Sequence, residues 1–351
     1  MMGDKLRIAF LGCGYMGQNA HLVNYAELHD LCEVVAVADA RRGLAEKVAT
    51  RYGIPRVFDS YPDMLAGADF DAVVASQPFN NHVNIVPMVL QSRKPLFTEK
   101  PVCISVENAL MLADLSDSKD TLHMVGYHKR SDPASEYAKA IVDEWQRTGE
   151  YGKMRLVRCS MPPGEWEGGA PPVLTDAAAY PAFAGEPAPT YFPGQLGEDY
   201  IAFVNYYIHQ VNYLHFMIGA PVHVDYASRN GVLLAGESDS GVSAVIEMAA
   251  YATGHGWQES VLVAFEHGYV SVELPPPLAK QRAGRVRVYR GKNRDEATTA
   301  EPELPNVHAM KKQAINFIAA AKGERPAPCT SRQAADDMRV ATEYIRLRNG
   351  L

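Results

Sequence analysis

The chain has 351 residues, 47% of them hydrophobic, with a formal net charge of -7 and a pI near 5.9. That balance supports sizeable buried cores and excludes a nucleic-acid partner, which leaves a basic footprint. No stretch approaches the roughly 18–20 continuous apolar residues of a membrane span, and two domains are expected at this length.

The first apolar run, Leu6–Leu11, ends in Gly12-x-Gly14-x-x-Gly17 and leads into a helix-compatible stretch near Met16–Leu28. This is the pattern of a buried strand turning into a helix whose N-terminus faces a pyrophosphate. Gly12 permits the tight turn, Gly14 lets backbone approach phosphate, and Gly17 lets helix and strand pack closely. Tyr15 and Met16 lie in the same turn. The run reaches the turn with no small-residue cleavage site, unlike a secretory signal.

Further strands are expected at Val34–Ala38, Ala72–Ser76, Pro95–Thr98 and Leu122–Val125, with helices near 43–51, 82–92 and 106–116. Apolar strands alternating with amphipathic helices predict a doubly wound parallel sheet, a Rossmann domain over residues 1–127. Asp39 ends the second strand 22 residues after Gly17, where an acid binds the adenosine ribose. A carboxylate there repels a 2′-phosphate and favours NAD over NADP. Arg41 or Arg42 offers the opposite possibility, although Arg42 also reads as a solvated helix-start residue.

From residue 128 the pattern changes to a second, α+β domain, 128–351. A helix from Asp132-Pro133 to about Arg147 precedes strand-like runs at 154–160, 222–229, 241–251, 259–265, 269–273 and 285–289. Their alternating polarity and short turns predict a largely antiparallel open sheet. One helix is expected at 200–217 and two more at 307–322 and 331–348, the last possibly returning to the first domain. Residues 161–198 form a Pro/Gly/Ala-rich loop carrying Trp166, Tyr180, Tyr191 and Phe192. Such a loop serves as a lid, a binding loop or an oligomer contact, and its aromatics either stack on a sugar or simply pin the loop.

Five scattered cysteines, Cys13, Cys32, Cys103, Cys159 and Cys329, lack paired spacing. They read as core residues of a reduced, cytoplasmic protein rather than as disulfides or zinc ligands. No His-x-x-x-His or Cys-rich cluster signals a metal. Glu99-Lys100-Pro101 follows the fourth strand, at the carboxyl edge where such sheets bind ligands. Pro101 biases Lys100 toward an extended backbone that aims its ammonium at the nicotinamide.

These residues, with Gln77-Pro78…His82, Arg130-x-Asp132-Pro133 and Gly149-x-x-Gly152-Lys153, resemble the glucose-fructose oxidoreductase / inositol dehydrogenase / MocA (Gfo/Idh/MocA) family. The resemblance implies a Rossmann domain followed by an open antiparallel α/β domain. It also implies NAD(P)-dependent oxidation or reduction of a secondary alcohol or carbonyl on a sugar, inositol or related polyol. The family's Asp-x-x-x-His pair, with another Asp three residues on, corresponds to Asn205, His209 and Asn212. His209 thus takes the place of the catalytic histidine, while both acids are amides. Under this reading His209 is the general base, Lys100 stabilises charge on the reacting oxygen, and Asn205 positions a neighbouring hydroxyl. Gln77, Pro78, His82 and Glu99 line the cofactor, and His128, Arg130 and Trp166 line the substrate cleft. His215 and Tyr213 are weaker candidates, and Glu198 or Asp199 could replace a missing acid. Alternatives are 3-oxidation of a glycoside, a redox-assisted elimination, or a degenerate NAD(H)-sensing regulator. A homodimer or homotetramer is expected from the exposed sheet face.

Overall fold

A computed structural model describes residues 5–251 and 256–351. The chain forms two compact units. One comprises the chain up to Tyr127 with Ala170–Tyr191 and Gln313–Ala335; the other comprises His128–Gly169, Phe192–Lys312 and Asp336–Leu351.

In the first unit, β1 (Leu6–Leu11) enters a single π-helical turn, Gly17–Leu22, and then α1 (Val23–Glu27). Next come β2 (Cys32–Ala38), α2 (Arg42–Tyr52), β3 (Val57–Phe58), α3 (Tyr61–Gly67), β4 (Ala72–Ala75), α4 (His82–Gln91), β5 (Leu96–Glu99), α5 (Val106–Lys119) and β6 (His123–Gly126). Among the described residues the strands form one parallel sheet, ordered β3-β2-β1-β4-β5-β6. Successive strands therefore move outward in opposite directions on either side of β1. That reversal opens a crevice at the carboxyl ends of β1 and β4, where open α/β sheets bind ligands.

The core under this sheet joins Ile8, Phe10, Val37, Val74, Phe97 and Met124 to Phe317 and Ile318 from a later helix. The five expected parallel strands are present. The single helix expected at 16–28 divides instead into the π turn and α1, and β3 and α3 are additional. At two residues, β3 is too short for a periodicity to register. For α3 a signal existed: Ser60 accepts from Asp63 N at 3.2 Å, and a proline occupies the first turn.

The second unit contains α6 (Pro133–Thr148), β7 (Met154–Ser160), α7 (Gln195–Tyr206), α8 (Ile208–Ile218), β8 (Val222–Ala227), β9 (Leu233–Ser238), β10 (Ser243–Glu247), β11 (Ser260–Phe265), β12 (Gly268–Glu273), β13 (Arg285–Arg290) and β14 (Thr298–Ala300). The chain ends with α9 (Ala309–Ala321) and α10 (Ser331–Asn349). The sheet order is β14-β13-β12-β11-β7-β10-β9-β8, antiparallel except for the β7–β10 pair. Val157, Cys159, Val261, Val263, Val270 and Val272 are buried on the face covered by α6 and α8. On β13, Arg285 and Arg287 alternate outward with buried Val286 and Val288, the signature of a sheet covered on one face.

The helix expected at 200–217 is two helices. Tyr207 (φ -88°, ψ -4°) separates α7 from α8, so Asn205 and His209 lie on either side of a junction rather than one turn apart on a continuous helix. The strand expected at 241–251 covers only Ser243–Glu247, and its partner β9 is additional to the expected strands. Residues 252–255 lie outside the described residues.

Asp132 closes this unit. Fully buried, it caps α6 by accepting from Ala134 N at 2.8 Å, and it also accepts from Gly284 N at 3.0 Å, just before β13. Burial raises its pKa from 3.8 to about 6, against the opposing pull of the two N–H groups. A raised carboxyl pKa means the folded chain holds the proton more tightly than the unfolded chain. This stabilisation is complete below pH 3.8 and is lost as pH rises to about 6. Asp132→Asn keeps an acceptor but removes the titration. Relative to the variant, the wild type should therefore lose about 3 kcal/mol across that window and stay level above it. Urea unfolding at a series of pH values gives the difference, and parallel profiles for the two proteins would contradict the shift.

Candidate functional site

In the first unit the glycine turn is built so that side chains are excluded where backbone meets backbone. A Cβ on Gly12 (φ +99°) would lie 2.1 Å from Ser76 O, and one on Gly17 would lie 2.1 Å from Gly12 O. The space at Gly14 is open, with Arg41 Nη2 nearest at 4.0 Å. Gly12 and Gly17 thus make the corner, while Gly14 leaves room for a ligand to approach the chain.

Asp39, 2% exposed, ties the end of β2 to this corner. Its Oδ2 accepts from Cys13 N at 2.7 Å, and its two oxygens take the backbone N, Nε and Nη2 of Arg41 at 2.9–3.1 Å. Arg42 points elsewhere, to Glu46 and Asp59. This open glycine flanked by a buried acid fits a dinucleotide: backbone N–H groups for the pyrophosphate and a carboxylate for the ribose. Tyr15 and Met16, in the turn itself, are half-buried.

Gln77 and Pro78 follow β4, and the Gln77 amide abuts Gly12. His82, wholly buried at the start of α4, is bonded through Nδ1 to Val102 O at 3.0 Å, and burial lowers its pKa. It is therefore a neutral prop for the Pro101–Val102 turn. Glu99 is bonded to His21 Nε2 at 2.6 Å and accepts from Lys100 N at 3.2 Å. Burial pushes the Glu99 carboxyl up, but His21 and Lys100 outweigh it and hold it below the usual range. Lys100, half-buried and joined to Pro101 by a cis peptide, thus has its backbone fixed by the preceding side chain. His21 gave no signal in the sequence, since a histidine on a buried helix face reads as core.

The second unit gathers the other named residues. His128, Lys129, Arg130, Ser131 and Asp132 form a buried turn ahead of α6. His128 meets His209, in the first turn of α8, edge to face with ring centroids 4.9 Å apart. Arg130 Nε donates to Asn212 Oδ1 at 2.5 Å; Asn212 Nδ2 donates to Asp337 Oδ2 at 2.7 Å; and Asp337 Oδ1 lies 2.7 Å from His215 Nδ1. Val222 N donates to His215 Nε2 at 3.3 Å, which places the imidazole proton on Nδ1, facing Asp337. Lys129 pairs with buried Glu259, which also accepts from Gln210 at 2.7 Å.

Asn205, by contrast, is exposed at the end of α7. Trp166 contributes its carbonyl to Leu278 N. The acid beside Asn212 is Asp337, not Glu198 or Asp199; Asp199 lies 3.8 Å from Arg348. A narrow cleft lined by His128, Lys129, Glu259 and Arg282 shares its walls with a cavity of about 600 Å³. That cavity is lined by Ser160, Tyr251, Trp257, Gln258, Glu273 and Arg285 among others, and the buried Trp257 Nε1 has no partner among the described residues. No metal-binding cluster occurs among the described residues, and none of their helices is long and apolar enough to cross a membrane.

Residues 6–127 match the model of the oxidoreductase family, NAD-binding Rossmann fold (GFO_IDH_MocA). The chain is 30% identical over 152 residues to scyllo-inositol 2-dehydrogenase (NAD(+)) of Bacillus subtilis, a match covering 43% of each protein. It is 32% identical over 154 residues to inositol 2-dehydrogenase of Rhizobium meliloti, covering 43% of this chain and 44% of the relative. The matches thus span less than half the length of these relatives. Among solved structures, an NAD binding oxidoreductase from Klebsiella pneumoniae superposes with a TM-score of 0.76 at 16% identity, covering 99% of this chain and 98% of that one. The WlbA dehydrogenase of Bordetella pertussis, solved with NADH and UDP-GlcNAcA, gives 0.72 at 19%, covering 100% and 98%. At these identities the likeness is one of fold.

Asp337 is the buried charge of the Arg130 cluster, so Asp337→Asn should cost about 1–3 kcal/mol. Adding Asn212→Asp restores a carboxylate next to Arg130 and should recover most of the loss in urea unfolding. A double variant no more stable than Asp337→Asn would show that the two positions do not share one charge.

Proposed function

We propose, on the match of residues 6–127 to the NAD-binding Rossmann fold model of the Gfo/Idh/MocA oxidoreductase family, that the chain is an NAD(H)-dependent dehydrogenase acting on a secondary alcohol of a cyclitol, sugar or glycoside. The observation that carries this is the Gly12–Gly17 corner with its open Gly14 and buried Asp39. The relatives named as inositol 2-dehydrogenases support the substrate class. So does the cavity in the second unit, where Trp257 and Tyr251 line the wall beside the polar groups of Ser160, Gln258, Glu273 and Arg282. Hydroxyl-rich rings are bound by this mixture of aromatic faces and convergent hydrogen-bonding groups.

NAD, when bound, supplies the hydride acceptor. The protein's part is proton transfer and charge stabilisation. His209 takes the hydroxyl proton, and the edge of His128 restricts how its ring turns. Lys100, its backbone fixed by Glu99, supplies the cation for negative charge growing on a substrate oxygen. Arg130 and Asn212 hold the turn that carries His128. Asn205 offers an uncharged donor and acceptor to a second hydroxyl. Asp39 selects NAD over NADP, since a 2′-phosphate would face a buried carboxylate and have to draw Arg41 away from it.

Incubation with NAD and a panel of cyclitols, aldoses and glycosides, followed by the absorbance of reduced nicotinamide, tests this. Turnover should occur with at least one class. His209→Ala and Lys100→Ala should each lower kcat by about 10²-fold or more on that substrate while leaving NADH binding intact. Unchanged turnover in either variant would remove its assigned role. Tight NADH binding without turnover on any substrate would favour an NAD(H)-sensing regulator.

A further inference from the structure

Ala170–Tyr191 belongs to the first unit although it lies between β7 and α7 in the chain. Its contacts follow the carboxyl edge of the parallel sheet from β2 to β5. At one end Gln18, 2% exposed, grips Leu174 twice: its amide nitrogen donates to Leu174 O and its oxygen accepts from Leu174 N, both at 2.9 Å. Asn19 holds Pro171 O at 3.1 Å. At the other end the buried Glu186 carboxylate accepts from Ile104 N, Ser105 N and Asn108 Nδ2 at 2.7–2.8 Å, and Glu186 N donates to Asn80 O at 2.7 Å. An acid bonded to the N–H groups just ahead of α5 also meets the positive end of that helix.

Both anchors are buried and the middle is not. Tyr180, 37% exposed, sits there: its hydroxyl donates to Gln77 Oε1 at 2.8 Å, and its ring lies 5.3 Å from the Arg41 guanidinium. Gln77 follows β4, whereas Arg41 follows β2 and is held by Asp39. One side chain thus joins the two sides of β1, across the crevice where the sheet order reverses. Its partners are the amide beside Gly12 and the cation beside Gly14.

The geometry points to Ala170–Tyr191 as a strap across the dinucleotide crevice, with Tyr180 as the latch that retains the cofactor and sets its exchange rate. This rests on the dinucleotide reading of that crevice. Entry and exit of a pyrophosphate-linked ligand require the Tyr180–Gln77 bond and the Arg41 contact to open, while the Gln18 and Glu186 anchors stay closed. The latch is a positioning device: it acts on binding and release, not on the reacting atoms.

Stopped-flow release of NADH, chased with excess NAD and followed by nicotinamide fluorescence, tests it on the full chain. Tyr180→Phe loses the hydroxyl bond and should release NADH about threefold faster; Tyr180→Ala loses both contacts and should release it about tenfold faster or more. KM for NAD should rise with the release rate, while hydride transfer in a single turnover is unchanged. Release from Tyr180→Ala as slow as from wild type, in a variant whose melting temperature is unaltered, overturns the latch. A wild-type chain that shows no saturable NADH binding overturns the dinucleotide reading, and the latch with it.

Discussion

Three backbone segments meet at Gly12, Gly17 and Ser76 with no room for a β-carbon at either glycine, and the first unit is arranged around that contact. It brings the start of the first helical turn against the end of β1 and sets both beside the end of β4. Asp39 then draws the end of β2 to the same point through Cys13 N. Four chain segments converge there, backbone against backbone at both glycines, and the backbone N–H groups of such a corner suit a phosphate. Packing does the rest: Phe10 and Phe97 fill the layer beneath, and Phe317 meets Phe97 edge to face at 5.7 Å.

The second unit is organised by buried charge rather than by close backbone approach. Lys129 with Glu259, and Arg130 with Asn212 and Asp337, remain buried because each charge meets an opposite charge or an oriented dipole. Such clusters add little net stability compared with apolar packing, but losing one member leaves the others uncompensated. Their value is orientation. They hold the 128–132 turn in one conformation, and that turn sets His128 against His209.

The parallel sheet was legible because its strands are apolar runs separated by amphipathic helices, and the glycine spacing marked which corner is special. Asp39, Glu99, Lys100 and the 128–132 turn were legible as motifs at strand ends. What could not be read was long-range pairing of side chains. The role of Glu186 depends on a loop returning to α5, and that of His21 on Glu99 lying across from a π turn. Asp337 did leave a trace: it falls between Ala334 and Ala341 on the buried stripe of α10, where an acid needs a partner. The break at Tyr207 left none, since the run on either side stays helix-compatible.

Asn205 and Asn212, the two amides where the resemblance leads one to expect acids, are not equivalent. At 212 the amide links Arg130 to a buried acid, since Asn212 accepts from Arg130 and donates to Asp337 on α10. The cluster thus keeps one buried carboxylate within a single side chain of Arg130. At 205 the side chain is exposed, beyond the helix junction. An amide there changes what the protein presents outward: two donors and an acceptor replace a charged acceptor. Position 212 therefore bears on how α8 and the 128–132 turn are held together, and position 205 on what the surface beyond the junction presents.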